Sequence, residues 1–382
     1  MHEFGQWGYL GVFRTAESAE SAEKGSKNLH TLVRQCAYNR GMTNNFLNDI
    51  HQVAVIAAEL RPAIAQVRQA LGLGAFKVWG FKPPHLLNTS LRGQAEKFTM
   101  SLALTWVGNM QLEIIQPNSG QSLYQEYLDR RHRAGLQHFV MDRGSASYAN
   151  AARKLEALGF RLAQEARTNV GVEVGPVPVP PVPNMLATTV STHFGYTDTA
   201  ETLKTSIEVV EFPLGLSPRM SLRLAQPGTW VGDHLAFDKL PEDSLITDIR
   251  KLYVIVADLD ATLPHWQKFQ SAPIPRADVP LTDLGSGARS RARLAFITLK
   301  RTQIVLVQPV DGDDVFARLL RERGEGAQIL GAIPRAKEPE ALVEQFAARG
   351  WELALAVKVE NEVLRYFTHA EAPFAVEAGL DA

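Results

Sequence analysis

Apolar and polar positions along the chain fall into four similar blocks. The first opens at His51 with HQVAVIAA, an almost continuous apolar run that reads as a buried strand. Behind it, ELRPAIAQVRQALGL sets Ile64, Val67, Ala70 and Leu71 at helical spacing. Two alternating segments follow, KFTMSLALTWV and MQLEIIQ, so the block predicts a β-α-β-β-β unit. The second block starts at GLQHFVMD and passes through YANAARKLEALGF. Leu155, Leu158 and Phe160 mark that helix's buried side and exit, and Gly159 its stop. It closes on KTSIEVVEF. The second half repeats this grammar with LYVIVADL, a helix near LPHWQKFQ, then RLAFITL, TQIVLVQP and the helix VFARLLRERG. It ends with GAQILGAI, the helix EPEALVEQFAARGW, and the strands LALAVKV and FAVEAG. The pattern predicts an α+β protein of two tandem domains, each built from paired βαβββ modules.

The two halves also align residue by residue. IHQVAVIAAEL pairs with IRKLYVIVADL, MQLEIIQP with TQIVLVQP, and GLQHFVMD with GAQILGAI, in the same order at nearly constant spacing. Where the first copy has His51, Glu113 and His138, the second has Arg250, Val305 and Ile329. Glu208 aligns with Glu377. Strand alternation groups His51 with Val53 and Val55, Glu113 with Ile115, His138 with Val140 and Glu208 with Val210. A carboxylate on an apolar strand face is costly unless it is paired or coordinated. Singly, each of these residues equally fits a core histidine or a salt-bridged glutamate. Together, two imidazoles and two carboxylates from four strands predict a mixed nitrogen and oxygen site for one divalent metal ion. The residue set does not choose among Fe, Mn, Co, Ni, Zn and Mg. The second half acts as an internal control, with the same strands but without the ligands. Glu377, left without companions, is expected to be structural or exposed.

Bulk properties narrow the classes. A length of 382 residues predicts two domains, and 45% hydrophobic with 21% charged residues describes a globular protein with ample core. The expected division is an N-terminal extension over 1–47, a metal-binding domain over 48–212, a connection over 213–246 and a degenerate domain over 247–382. A net charge of −1 gives no electrostatic footprint for nucleic acid. The single cysteine, Cys36, excludes an intrachain disulfide framework and a cysteine-rich zinc site. No apolar run is long enough to span a membrane, and the polar leader with AESAESAEKGSK lacks a signal-peptide core, so a cytoplasmic location is expected. VGPVPVPPVPNM predicts a semi-rigid polyproline excursion over the surface.

The stretch LEIIQPNSGQSLYQEYLDRRHRAGLQHFVMD, together with the closing YTDTAETLKTSIEVVE, resembles the vicinal oxygen chelate superfamily, nearest to its methylmalonyl-CoA epimerase and glyoxalase branch. The resemblance covers 48–212 well and 248–380 in outline. It implies that each pair of modules closes into a half-barrel, with His51, Glu113, His138 and Glu208 as metal ligands in the first and none in the second. It further implies a metal-dependent isomerase or epimerase acting on a small molecule with adjacent oxygens, an acyl-thioester among the candidates. A Lewis-acidic metal lowers the barrier to enolate formation, and Glu208 or Glu113 would move the proton. Two alternatives stay open within the superfamily. One is an iron(II) extradiol ring-cleavage dioxygenase using His51, His138 and Glu208; the other is a non-catalytic small-ligand-binding protein. Monomer and homodimer are both compatible with a duplicated chain. Glu96 is a weaker candidate base, and Tyr196 either orients substrate or packs. The basic segments RRHRAG and GSGARSRARL read as charged turns with a possible grip on an anion. The Gly72–Gly74 turn lacks the spacing of a phosphate loop, and no serine nucleophile motif is present.

Overall fold

A computed structural model of the protein describes residues 46–142, 146–169, 171–172, 191–211, 225–226, 228–237, 239–359 and 362–381. The expectations for the N-terminal leader, for Cys36 and for VGPVPVPPVPNM lie outside the described residues.

Four βαβββ modules account for the main elements. The first comprises β1 (Ile50–Ile56), α1 (Leu60–Leu71), β2 (Phe76–Phe81), β3 (Thr99–Val107) and β4 (Met110–Ser119). Helix α2 (Leu123–Arg131) leads to the second module: β5 (Gly135–Met141), α3 (Tyr148–Ala157), β6 (Leu162–Asn169), β7 (Ser191–Thr197) and β8 (Ser206–Glu211). The third comprises β9 (Ile246–Ile255), α4 (Leu259–Gln267), β10 (Arg276–Thr282), β11 (Arg289–Thr298) and β12 (Gln303–Asp311). After α5 (Val315–Arg323) come β13 (Gly326–Pro334), α6 (Pro339–Ala347), β14 (Trp351–Val359), β15 (Glu362–His369) and β16 (Ala375–Asp381).

One mixed sheet runs β2-β3-β4-β1-β5-β8-β7-β6, extended at its edges by Thr229–Val231, Leu86–Leu91 and Gln94–Ala95 to 11 strands. A second large sheet, of 8 strands, repeats the order as β10-β11-β12-β9-β13-β16-β15-β14. The fold is therefore α+β, with two tandem half-barrels of identical strand order. Local signals set the helix limits. In α1 the buried residues Leu60, Ile64, Val67 and Leu71 form one face, and Gly72 at φ 68° returns its N–H to the Arg68 carbonyl. Ser122 caps α2 through the Gln125 N–H, and Asp314 caps α5 through those of Phe316 and Ala317.

The halves share one apolar core. Val53, Val55, Val67, Phe139 and Ile207 from the first half cluster with Val254, Trp266, Ile304 and Phe346 from the second. Phe139 stacks on Trp266, Phe160 stacks on Phe269, and Trp351 Nε1 donates to the Ala70 carbonyl at 2.7 Å. Two equivalent aspartates latch the halves reciprocally. Buried Asp49 accepts from Thr302 Oγ1 and from Arg301 Nε, both at 2.6 Å, in the turn before β12. Asp248 accepts from the Asn109 N–H at 3.1 Å, in the turn before β4. Arg250, aligned with His51, pairs with this same Asp248 at 2.7 Å. Among the described residues no helix is long and apolar enough to cross a membrane.

Candidate metal centre

Strand register decides which side chains meet inside the first half-barrel. β1 runs parallel to β4 with Gln52 opposite Gln111 and Ala54 opposite Glu113. On its other side it pairs with β5, with Ala54 opposite His138 and Gln52 opposite Val140. β5 continues into β8 with His138 opposite Ser206 and Val140 opposite Glu208. One sheet face therefore carries Gln52, Glu113, His138 and Glu208. Ligand atoms of Glu113, His138 and Glu208 lie within 4.8 Å of one another, and all three residues are buried.

His51 is not among them. The same alternation that puts Gln52 on this face turns His51 away, with Val53 and Val55, towards the core between the halves. His51 lies at the rim of that side, half-exposed, with Nε2 3.4 Å from Asp142 and Nδ1 3.3 Å from Arg301 Nη2. The expected four-residue set is thus brought together in three members, and Gln52 stands at the position expected for His51. Strand β1 is so uniformly apolar that alternation along it does not reveal which face looks into the cup. The pairing register also slips between Ile50 and Gln52. The polar Gln52 inside the run is the signal that marks the face.

Hydrogen bonding around the cluster is incomplete in an informative way. Gln52 Nε2 donates to Glu113 Oε2 at 2.8 Å. Gln137 Oε1 lies 2.5 Å from His138 Nδ1, so that nitrogen carries the proton it donates. The opposite nitrogen, Nε2, faces two carboxylates at once: Glu113 Oε2 at 3.3 Å and Glu208 Oε2 at 3.2 Å. One N–H cannot serve both well, and Glu208 Oε2 is left buried without a directed hydrogen bond. A neutral imidazole would point a lone pair at two anions. The arrangement calls for a proton or a metal cation at the point where these three groups meet. The donor set, one imidazole nitrogen with carboxylate oxygens, suits a borderline or hard divalent ion. Turning the Gln52 amide would present its Oε1 to the same point.

Electrostatics agree. Burial drives the Glu113 carboxyl up to about 7, against the stabilising hydrogen bond from His138, with Glu208 adding to the rise. Burial would pull His138 down, but its bonds to Glu113 and Glu208 outweigh that and hold it up to about 9. An apolar collar surrounds the group, with Ile56, Trp79, Phe98, Leu104, Phe194 and Tyr196 in one buried cluster. Tyr196 packs edge-on to His138 with centroids 4.8 Å apart, and Tyr124 edge-on to Tyr196 at 5.3 Å. Burial, then the Glu208 charge, raises both phenols well above their ordinary range. Tyr196 is therefore a packing partner of the imidazole. The imidazole side chain is 0% exposed while Glu113 and Glu208 retain 7% and 6%, so the approach to the group lies on the carboxylate side.

The remaining sequence candidates lie elsewhere. Glu96 sits in the turn before β3, bonded through its N–H to the Thr89 carbonyl. In GSGARSRARL, Arg291 and Arg293 are ion-paired with Asp311 and Asp260. Glu377, expected to be structural or exposed, is buried and lies 3.3 Å from Lys251 Nζ.

Residues 51–174 match the family model described as Glyoxalase/Bleomycin resistance protein/Dioxygenase superfamily. That match lies within the first copy, and the second copy repeats its strand order. In structure, the tandem layout is similar to a triple mutant of 4-hydroxymandelate synthase from Streptomyces coelicolor. That match has 11% identity and a TM-score of 0.53, over 87% of this chain and 92% of that one. A shorter likeness is to methylmalonyl-CoA epimerase from Mycobacterium tuberculosis, 21% identical over 38% of this chain and 94% of that one, with a TM-score of 0.28. The first likeness establishes the fold alone, and the second is too low in TM-score to carry an argument. Comparison with curated proteins gives no significant match.

Proposed function

We propose that the protein is a metal-dependent isomerase or epimerase that moves a proton at a carbon next to a carbonyl in a substrate with adjacent oxygens. The observation that carries this reading is the convergence of Glu113 and Glu208 on His138 Nε2, with one carboxylate oxygen lacking a directed donor. Glu113, His138 and Glu208 would hold one divalent ion, with Gln52 as a fourth donor in place of His51. When bound, the ion supplies Lewis-acid polarisation of the carbonyl. The side chains divide the remaining work. Gln137 fixes the imidazole through Nδ1, so that Nε2 stays aimed at the carboxylates. Gln52 tethers Glu113. Glu208, without a comparable tether, is the better general base: released from the ion, it would take the carbon-bound proton. Glu113, on the other side of Nε2 and itself starting protonated, would give its own proton to the opposite face, so that the two carboxyls exchange protonation states, as epimerisation requires. Tyr124, Phe194 and Tyr196 exclude water from the group.

The ring-cleavage alternative needs two histidines and one carboxylate around iron. The described cluster offers one histidine and two carboxylates, with His51 on the opposite face, and this ranks proton transfer ahead of dioxygen chemistry.

The test combines metal analysis with proton exchange. Purified protein should contain about one equivalent of divalent metal, lost in His138→Ala and Glu113→Ala and kept in His51→Ala. In deuterated water, the metal-loaded protein should exchange the α-proton of a member of a panel of acyl-thioesters and 2-hydroxycarbonyl compounds, followed by NMR. Iron-dependent oxygen uptake on catechols, without α-exchange, would overturn the proposal in favour of the dioxygenase. Absence of metal after reconstitution would leave a ligand-binding protein.

A further inference from the structure

The copy that lacks the histidine keeps other features. In GLQH and GAQI the glycine and glutamine recur, Gly135 with Gly326 and Gln137 with Gln328, while His138 gives way to Ile329. Helices α2 and α5, which precede these strands, end alike on Arg131 and Arg323. The fold gathers all three pairs into one cleft between the halves. The glycines make the space. A Cβ at Gly135 would collide with Tyr127 Oη, and one at Gly326, where φ is 147°, would sit 3.1 Å from Arg131 Nη2.

The charge of this cleft is one-sided. Arg130, Arg131, Arg133, Lys204 and Arg323 line it against one carboxylate, Glu325. Glu325 is already engaged, by Lys204 Nζ at 2.8 Å and by the Ala257 N–H at 2.8 Å. Arg130 is paired with Glu201 outside the cleft. Arg131 donates only to the neutral carbonyls of Arg323 and Glu325. Arg323 Nη1 donates to the Pro373 carbonyl at 3.1 Å, and its buried Nε has no partner. Arg133 is exposed and, among the described residues, has no hydrogen bond or ion pair. Three guanidinium groups, on Arg131, Arg133 and Arg323, thus lack a carboxylate. The C-termini of α2 and α5 offset roughly one charge between them, leaving about two positive charges in excess. Burial, and secondarily the nearby Arg133, pulls Arg323 down to about 10.

We propose that this cleft is an oxyanion site, taking a phosphate-sized dianionic group between Arg133 and Arg323, with Arg131 fixing its wall. Guanidinium forks match phosphoryl oxygens in geometry as well as charge. The inference does not rest on the Glu113–His138–Glu208 cluster holding a metal. The cleft nevertheless lies next to that cluster, because Gln137 lines it and also binds His138 Nδ1. The anion is either free phosphate or the phosphoryl end of an organic molecule.

Calorimetric titration of the full chain with inorganic phosphate, and separately with glycerol 3-phosphate, tests the proposal. Saturable binding of one equivalent is expected, weakening as sodium chloride is raised. Arg133→Glu should weaken binding by about tenfold or more without lowering the anion-free melting temperature, because that side chain has no hydrogen bond or ion pair to lose. Arg323→Gln should weaken it similarly, though α5 can loosen, so the exposed Arg133 variant decides. Tighter binding of glycerol 3-phosphate supports an organic phosphate as occupant, and binding of inorganic phosphate alone supports the free ion. No saturable binding of either, or binding undiminished in Arg133→Glu, overturns the site.

Discussion

The two half-barrels share one strand order and differ in what fills the cup. By register, Gln52 corresponds to Lys251, Ala54 to Tyr253, Glu113 to Val305, His138 to Ile329, Val140 to Gly331 and Glu208 to Glu377. The first cup holds two carboxylates facing one imidazole. The second keeps one carboxylate and places the Lys251 ammonium 3.3 Å from it, among Tyr253, Val305, Ile329 and Tyr366. Gly331 makes room for that pair, since a Cβ there would lie 2.6 Å from Glu377 Oε2. The difference teaches that the buried glutamate on the last strand demands a cation in either copy. The second copy carries it on the chain as a lysine. The first has only an imidazole shared between two anions, a group that could hold a divalent ion.

The strongest way to break this comparison is His138→Ala. Removing the imidazole leaves Glu113 and Glu208 buried together, so metal content should fall to nil and metal-free stability should drop by about 4 kcal/mol in urea titration. A variant that keeps its metal and its stability would mean that the cluster is an ordinary polar core. Next in size is Lys251→Met, which strips Glu377 of its cation. A loss of about 3 kcal/mol with unchanged metal content is expected; a neutral effect would show that Glu377 needs no partner.

The pH dependence of the metal-free protein sharpens the same point. His138 is held up to about 9 and Glu113 up to about 7, against ordinary values near 6.5 and 4.5. Both bind more protons folded than unfolded, so the sign is negative for both. The Glu113 contribution declines between 4.5 and 7 and the His138 contribution between 6.5 and 9. Urea midpoints should therefore fall steadily from pH 5 to pH 9, and saturating divalent metal should flatten the slope. A rising midpoint over that range would contradict the arrangement.

Smaller effects separate neighbours on one strand. Gln52→Ala removes the donor to Glu113 Oε2 and should cost about 1 kcal/mol and weaken metal binding roughly tenfold, read by competition with a chelating dye. His51→Ala, one residue away, should change stability by less than about 0.5 kcal/mol and leave metal content intact. Equal effects of the two would mean that the strand face has been assigned wrongly.

Much of the architecture is written in the chain twice, and the repetition made it legible. Two copies of one strand-and-helix grammar placed Glu113, His138 and Glu208 on strands that the fold makes neighbours. His51 failed because a strand buried on both faces carries no alternation to reveal its orientation. Its aligned partner, Arg250, suggested a lost ligand but is a surface partner of Asp248. The informative pair was one residue on, Gln52 with Lys251, polar in both copies inside apolar runs. Contacts that depend on how the halves meet had no local signal. Asp49 with Thr302 and Phe139 with Trp266 join residues more than a hundred positions apart, through register that no window of sequence encodes.

The shared core between the halves has a consequence for how the molecule responds to dilution. A half-barrel that leaned on a separate copy would lose its support as concentration fell, and its apparent stability would follow mass action. Here the supporting copy is attached through the backbone, so its effective concentration is set by the chain and not by the cell. The second cup lacks the histidine and one of the two glutamates yet keeps that task, and scarcity of the protein cannot take the brace away.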